Sequence, residues 1–139
     1  MSEKEAVISE FDQARLQEVL DAIRAQSGIR QWSRGDKLQE KLTNSTALAP
    51  SEIPADVITM NSIARVRDLD SRKEGVYNLV FPSDSKLLEG RVSVLSFLGI
   101  ALFGSRIGDV IEWNTTKAHR SLEIVEIIYQ PEAARHWTL

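Results

Sequence analysis

Several structural signals lie close together in the sequence VSVLSFLGIALFGSRIGDVIEW, which runs from Val92 to Trp113. The residues Val92–Val94 include two β-branched side chains and predict the end of a strand. Ser96 is a typical helix N-cap residue, because its hydroxyl can accept a hydrogen bond from an unpaired backbone N–H. The apolar run Phe97–Phe103 behind it predicts a short helix. Gly104 suits the end of that helix, since glycine readily adopts a positive φ.

The same stretch also predicts how the short helix packs. Its side chains are apolar nearly all round, so we expect the helix to lie buried against another element, most simply a sheet. A turn at Gly108–Asp109 leads to a second predicted strand, Val110–Trp113. Alternation of side chains places Ile111 and Trp113 on one face of that strand, and we expect this face to contact the helix.

The N-terminal part of the chain predicts two amphipathic helices. The first runs from Glu10 to about Ala25, and Ser9 and Asp12 before it have the spacing of a capping box. Its apolar residues recur at helical spacing: Leu16, Val19, Leu20 and Ile23. The second is predicted from about Trp32 to Ala49, with a stripe of Leu38, Leu42, Ser45 and Ala49. Narrow stripes and a short connection predict an antiparallel two-helix arm of the coiled-coil type.

The pattern changes at Pro50–Pro54, which we interpret as a linker between an arm, residues 1–49, and a globular domain, residues 50–139. Beyond the linker, period-2 patterns predict strands at Ile63–Leu69, Val76–Phe81 and His119–Tyr129. The last of these is apolar on both faces, and we expect it to be central and covered on both sides. Strands without regular helical crossovers predict an antiparallel α+β domain with one short helix.

Composition predicts a soluble, cytoplasmic protein. Charged residues make up 27% of the chain and hydrophobic residues 42%, and no apolar run is long enough for a membrane span. The absence of cysteine excludes a disulfide framework. The N-terminus lacks the pattern of a signal peptide. A net charge of −3 argues against binding of nucleic acid through bulk electrostatics.

Charge is distributed unevenly along the chain. The segment from Arg24 to Lys41 holds five basic and two acidic residues, a net charge of +3 in an acidic protein. We name four of these residues the basic tip: Arg24, Arg30, Arg34 and Lys37. The two acidic residues, Asp36 and Glu40, lie beside Lys37 and Lys41, a spacing typical of ion pairs on a helix surface.

No pattern in the sequence predicts an active site. His119 and His136 are the only histidines, and without cysteine or paired histidines a zinc site is not expected. Two carboxylate pairs lie in or beside predicted strands: Glu123 and Glu126, and Asp68 and Asp70. Glu123 and Glu126 fall on opposite faces of a regular strand, and we interpret all four as solvated carboxylates. The sequence therefore predicts a protein without cofactor or metal ion that is not an enzyme.

Three segments carry a family resemblance: IPADVITMNSIARVRDL from Ile53, VSVLSFLGIALFGSRIGDVIEW from Val92, and LEIVEIIYQPEA from Leu122. They resemble the Gre-type bacterial transcription elongation factors. The segments Pro54–Ser62 and Tyr129–Ala134 are particularly similar to a short-armed member of that family. The resemblance covers residues 53–134, and only the plan of a helical hairpin is shared over residues 1–50.

The resemblance implies a fold and a partner. The fold is an N-terminal antiparallel coiled coil joined to an FKBP-like sheet domain. The partner is RNA polymerase, which a monomeric factor binds at the rim of the secondary channel while the coiled coil enters the channel. Contact with RNA or DNA of the elongation complex would be indirect. In the cleavage-stimulating members, two acidic residues at the tip help to hold the magnesium ion that hydrolyses backtracked RNA.

This chain departs from the cleavage-active pattern. Its hairpin tip, roughly Gln26–Asp36, has one acidic residue and several arginines. A helix of about 15 residues spans only about 23 Å at 1.5 Å per residue, which is shorter than the arm of a cleavage factor. We therefore expect a polymerase-binding regulator without cleavage activity. Two alternatives stay open: an active transcript-cleavage factor, and an FKBP-type prolyl isomerase, for which scattered tryptophans and 6% aromatic residues predict no aromatic pocket.

The resemblance also implies which residues contact the polymerase. The contact loop of the family carries an Asp-Ser-Pro or similar triplet before the short helix, and the matching positions are Leu95, Ser96 and Phe97. Only the serine is retained. The alternative interpretation is that Ser96 is merely a helix cap and Phe97 merely a core residue.

Overall fold

The change of sequence period near Pro50 coincides with a change of architecture. The computed structural model describes residues 6–26, 29–84, 90–114, 119–137 and 139, with the backbone alone described at 29–34 and 114. Before the change lie β1 (Val7–Ser9), α1 (Glu10–Gln26), α2 (Ile29–Thr43) and β2 (Thr46–Leu48). After it lie β3 (Ile63–Asp68), β4 (Glu74–Val80), β5 (Arg91–Ser93), α3 (Phe97–Leu102), β6 (Val110–Asn114) and β7 (His119–Tyr129).

The first helix is confirmed as predicted. It begins after Ser9, whose Oγ accepts a hydrogen bond from the backbone N–H of Asp12 at 2.9 Å. This bond satisfies one of the donors that the first turn of a helix leaves unpaired. Leu16 and Leu20 are fully buried, so the predicted apolar stripe faces the core.

The predicted end of the second helix is wrong. The helix ends at Thr43, and Thr46–Leu48 forms the strand β2, which pairs in parallel with β1. Ser45 donates a hydrogen bond from its Oγ to the carbonyl of Lys41. Such local side-chain bonds compete with a continuing helix. The pairing with β1 then takes up the backbone groups of this segment, a contact that helical periodicity cannot reveal.

The main sheet has five strands in the order β5-β4-β3-β7-β6. The pairs β3–β4, β3–β7 and β6–β7 are antiparallel, as predicted. The prediction is wrong for β5, which pairs in parallel with β4. Because α3 follows β5 directly, the chain passes from this edge of the sheet across to β6 at the other edge.

The bounds of β7 are predicted correctly, but its environment is not. It is the next-to-edge strand, and only one face is covered: Leu122 and Ile124 are buried, whereas Ile128 remains 46% exposed. A register shift between β3 and β7 places both Glu123 and Glu126 opposite arginines of one face. The expectation that these two carboxylates lie on opposite faces is therefore wrong, because a β-bulge adds one residue between them.

One hydrophobic core joins the helical hairpin to the sheet. Its buried members include Leu16 and Leu20 of α1, Met60 before β3, and Phe103 after α3. Leu38 and Leu42 of α2 belong to the same cluster. The base of the hairpin therefore packs into the core of the sheet. The coiled-coil and FKBP-like descriptions, and the division into residues 1–49 and 50–139, stay predictions.

Candidate functional site

Three serine-centred hydrogen bonds build the turn that leads from β5 into α3. The Oγ of Ser96 accepts from the backbone N–H of Gly99 at 2.9 Å and donates to the carbonyl of Ser93 at 2.7 Å. The Oγ of Ser93 in turn accepts from the backbone N–H of Leu95 at 3.1 Å. Ser96 is therefore the helix cap that the sequence predicts, and it satisfies a donor that the first turn of α3 leaves unpaired.

The three predicted contact residues lie together at this turn but differ in exposure. Leu95 is half-buried and packs against the core cluster. The side chain of Phe97 is 60% exposed, whereas the next residue, Leu98, is buried. The interpretation of Phe97 as a core residue is therefore wrong. More than half of this aromatic residue is thus solvent-exposed at the first turn of a capped helix.

A groove of about 460 Å³ lies beside Phe97. Three aromatic residues line it, one from β4, one from α3 and one from β6: Tyr77, Phe97 and Trp113. Arg91 of β5 adds a positive charge to the lining. We call this surface the aromatic groove. The sequence predicts no such convergence, because only the curl of the sheet around α3 brings these distant residues together.

A close backbone contact fixes α3 against β5. A Cβ atom added at Gly99 would lie 1.9 Å from the carbonyl oxygen of Ser93, so only glycine fits this position. Ile111 and Trp113 of β6 are half-buried and pack against the core cluster to which Leu98 and Leu102 of α3 belong, in agreement with the prediction. The short helix thus contacts both β5 and β6.

Asp12 ties the hairpin to the sheet, a role that the sequence does not reveal. Its carboxylate is 1% exposed and accepts from the backbone N–H of Met60 at 3.1 Å and from Arg15 at 2.6 Å. Burial raises the pKa of Asp12, while the Arg15 guanidinium opposes the shift. Ser9 and Asp12 therefore pair at the start of the helix as predicted, but the carboxylate of Asp12 also reaches across to the backbone of Met60.

Two segments that carry the family resemblance fold against each other. The side chain of Gln130 donates to the carbonyls of Pro54 and Val57, each at 2.7 Å. The hydroxyl of Thr59 donates to Glu132 at 2.7 Å, and burial raises the pKa of this carboxyl. The two segments that are particularly similar to one family member, Pro54–Ser62 and Tyr129–Ala134, are therefore hydrogen-bonded to each other.

The basic tip is described only in part. Arg24 and Lys37 are exposed, whereas the side chains of Arg30 and Arg34 lie outside the described residues. Lys41 does not form the predicted ion pair on the helix surface. Its Nζ instead contacts the backbone carbonyl of Ile100 in α3.

The carboxylates that the sequence presents as solvated mostly pair with arginines across the sheet. Arg65 contacts Glu126, and Arg67 lies 3.9 Å from Glu123 and 2.7 Å from Glu74. Asp68 accepts from Arg120, and this hydrogen bond lowers the pKa of its carboxyl. Within the described ranges, no group of three or more acidic or histidine side chains is arranged to hold a metal ion. Glu123 and Glu126 therefore pair with arginines on the outer face of the sheet, and Asp68 pairs with Arg120 at the end of β3.

Comparison with known proteins identifies the class. Residues 53–129 match the family model for the C-terminal part of the transcription elongation factors GreA and GreB, and the chain belongs to this GreA/GreB family. It is 34% identical to the regulator of nucleoside diphosphate kinase from Escherichia coli (strain K12) over the full length of both chains. Its identity to the transcription elongation factor GreA of Beijerinckia indica is 30% over 94 residues, covering 68% of this chain and 60% of the relative.

A solved structure agrees with this assignment. The prokaryotic transcription elongation factor GreA/GreB from Nitrosomonas europaea matches the fold with a TM-score of 0.77 and 32% sequence identity, over 90% of this chain and 100% of that one. The family predicted from the sequence is confirmed, and the chain is a Gre-like factor. Among the helices described, none is long and apolar enough to cross a membrane.

Proposed function

We propose that this protein regulates transcription elongation by binding bacterial RNA polymerase at the secondary channel, without cleaving the transcript. Membership in the GreA/GreB family supports the process and the partner. In this proposal the protein acts in the cytoplasm as a monomeric binding factor and not as an enzyme. The single observation that carries the proposal is the exposed ring of Phe97 beside the aromatic groove.

Phe97 has the properties of an interface anchor. Aromatic side chains that enter a partner's pocket from a rigid surface contribute more to binding than most contacts around them. Ser96 fixes the first turn of α3, and Gly99 presses the helix against β5. Little conformational freedom is then lost on docking, which favours affinity. The position also coincides with the contact triplet that the family resemblance implies.

The absence of cleavage is proposed from the charge of the arm. Magnesium prefers oxygen ligands such as carboxylates, and the segment 24–41 offers only Asp36 and Glu40 against five basic residues. The net charge of +3 disfavours a divalent cation and would instead attract nucleic-acid phosphate or an acidic surface of the polymerase. Lys41 contacts the C-terminal end of α3, and the remaining four basic and two acidic residues of this segment still carry a net charge of +2.

The name of the Escherichia coli relative raises a second partner, nucleoside diphosphate kinase. A change in transcription would account for that name as well as direct contact with the kinase would. Immobilised protein should therefore be tested in parallel against core RNA polymerase and against the kinase. We expect capture of the polymerase alone.

Replacement of Phe97 by alanine is expected to weaken binding to core RNA polymerase about 30-fold, which corresponds to about 2 kcal/mol. The free energy of unfolding should change by less than about 0.5 kcal/mol, because the ring is mostly exposed. Affinity can be measured by fluorescence anisotropy with labelled protein, and stability by urea unfolding.

The matched control is Ile128→Ala, which also removes an exposed apolar side chain but lies on the sheet strand β7. It should leave polymerase binding unchanged. Equal affinities for wild type and Phe97→Ala would remove Phe97 from the interface.

The aromatic groove also supports a second candidate function, that of a prolyl isomerase. Catalysed isomerisation of a Phe-Pro peptide would favour this function if the variant Phe97→Ala abolished it.

A further inference from the structure

Lys41 lies near the end of α2, yet its ammonium group contacts another helix. Its Nζ donates to the backbone carbonyl of Ile100 at 2.5 Å and approaches the carbonyl of Ala101 at 3.4 Å. These carbonyls belong to the last turn of α3, where carbonyl groups have no partners within the helix. A cation at this end also interacts favourably with the aligned peptide dipoles. The hairpin therefore holds α3 by its C-terminal end.

Neighbouring carbonyls of the same turn accept from local donors. The carbonyl of Gly99 accepts from the backbone N–H of Phe103 at 3.0 Å, and that of Ala101 accepts from the Oγ of Ser105 at 2.6 Å. The carbonyl of Ile100 accepts instead from Lys41, a residue 59 positions away. Lys41 is thus a direct link between the hairpin and the helix that presents Phe97.

Stability alone does not account for a lysine at this position. Burial lowers the pKa of Lys41 to about 8, and the negative charge of Asp109 only partly opposes this effect. Lys41 is partly buried, and a charge held in such a place costs free energy that an apolar side chain of similar volume avoids. Methionine could fill the same space without that cost, but it could not donate to the end of α3.

We propose that Lys41 is a positioning residue, which sets the orientation of α3 and thereby the presentation of Phe97 to the partner. This inference rests on the proposed binding of RNA polymerase. Helix α3 has six residues, so its two ends are separated by only about 9 Å at 1.5 Å per residue. A displacement at the end that Lys41 holds is therefore transmitted to the first turn, where Phe97 lies.

The test compares Lys41→Met with Lys41→Arg and with the control Lys37→Met, which removes an exposed lysine from the same helix. Lys41→Met should bind core RNA polymerase about tenfold more weakly than wild type, while its melting temperature stays equal or rises. Amide hydrogen exchange over Phe97–Leu102 should become faster. Lys41→Arg, which keeps a donor and a charge, should recover most of the affinity, and Lys37→Met should match wild type in melting temperature and in exchange over α3.

The outcomes separate the inference from the function on which it rests. If wild type fails to bind polymerase, the proposed function is wrong, and the exchange rates over α3 still test the positioning role. If wild type binds and Lys41→Met binds equally well, the positioning role is wrong. The positioning role is also wrong if Lys41→Met loses both binding and stability while hydrogen exchange over α3 changes no more than exchange over the sheet.

Discussion

Replacement of Asp12 by alanine is expected to lower the free energy of unfolding by about 2–4 kcal/mol, because it removes a buried acceptor and the partner of a partly exposed arginine. The carboxylate is buried and accepts hydrogen bonds from Arg15 and from the backbone of Met60. Alanine would leave the buried N–H of Met60 without this acceptor. It would also leave the Arg15 guanidinium, which lies 4.0 Å from the ring of Phe11, without its counterion.

The neutral variant Asp12→Asn should cost less than alanine. Burial already raises the pKa of Asp12, so the site partly tolerates loss of the charge, and the amide oxygen can still accept from Met60. The control is Asp21→Ala, which removes an exposed carboxylate from the same helix and should change stability by less than about 0.5 kcal/mol. Urea unfolding measures all three variants. If Asp12→Ala lowers the free energy of unfolding by less than about 1 kcal/mol, Asp12 does not hold the hairpin to the sheet domain.

Replacement of Gly99 by alanine is expected to cost about 3 kcal/mol, at the upper end of the usual range for overpacked sites. The added Cβ would overlap the carbonyl oxygen of Ser93, which is backbone and cannot move aside cheaply. Relief of the overlap requires α3 to move away from β5, so polymerase binding should weaken together with stability.

Gly108→Ala is the matched control for Gly99→Ala. Gly108 has a φ of +94° but open space where a Cβ would lie, so it tests backbone strain without a clash. Its expected cost is about 1–2 kcal/mol. Thermal and urea unfolding compare the two variants. If Gly99→Ala lowers the free energy of unfolding no more than Gly108→Ala does, α3 does not pack closely enough on β5 to exclude a Cβ atom at Gly99.

Local signals in the sequence predict the local structure well. The cap at Ser96, the two bounds of β7 and the inward face of Ile111 and Trp113 each depend on a few neighbouring residues, and each is confirmed. Side-chain type and spacing are sufficient there, because capping and alternation act within one turn or one strand. The family resemblance is confirmed for the same reason, since its motifs are continuous segments.

The sequence-based predictions that are wrong or missing concern contacts between residues far apart in the chain. The strand β2 exists because β1 pairs with it, and the bulge in β7 depends on its register with β3. Asp12 reaches a partner 48 residues away and Lys41 one 59 residues away. Neither contact has a period or a motif, so the sequence predicts only the local partners of these two side chains. The aromatic groove likewise exists only after the sheet curls around α3.

The central claim is that the protein binds RNA polymerase at the secondary channel and does not cut RNA. The most direct test incubates stalled, backtracked elongation complexes with magnesium and either this protein, a cleavage-active GreA, or both, and then reads the transcript lengths. We predict no shortening above the control without factor when this protein is added alone. We also predict that increasing amounts of it slow cleavage by GreA. Transcript shortening by this protein alone, abolished by Asp36→Ala or Glu40→Ala, would contradict the claim.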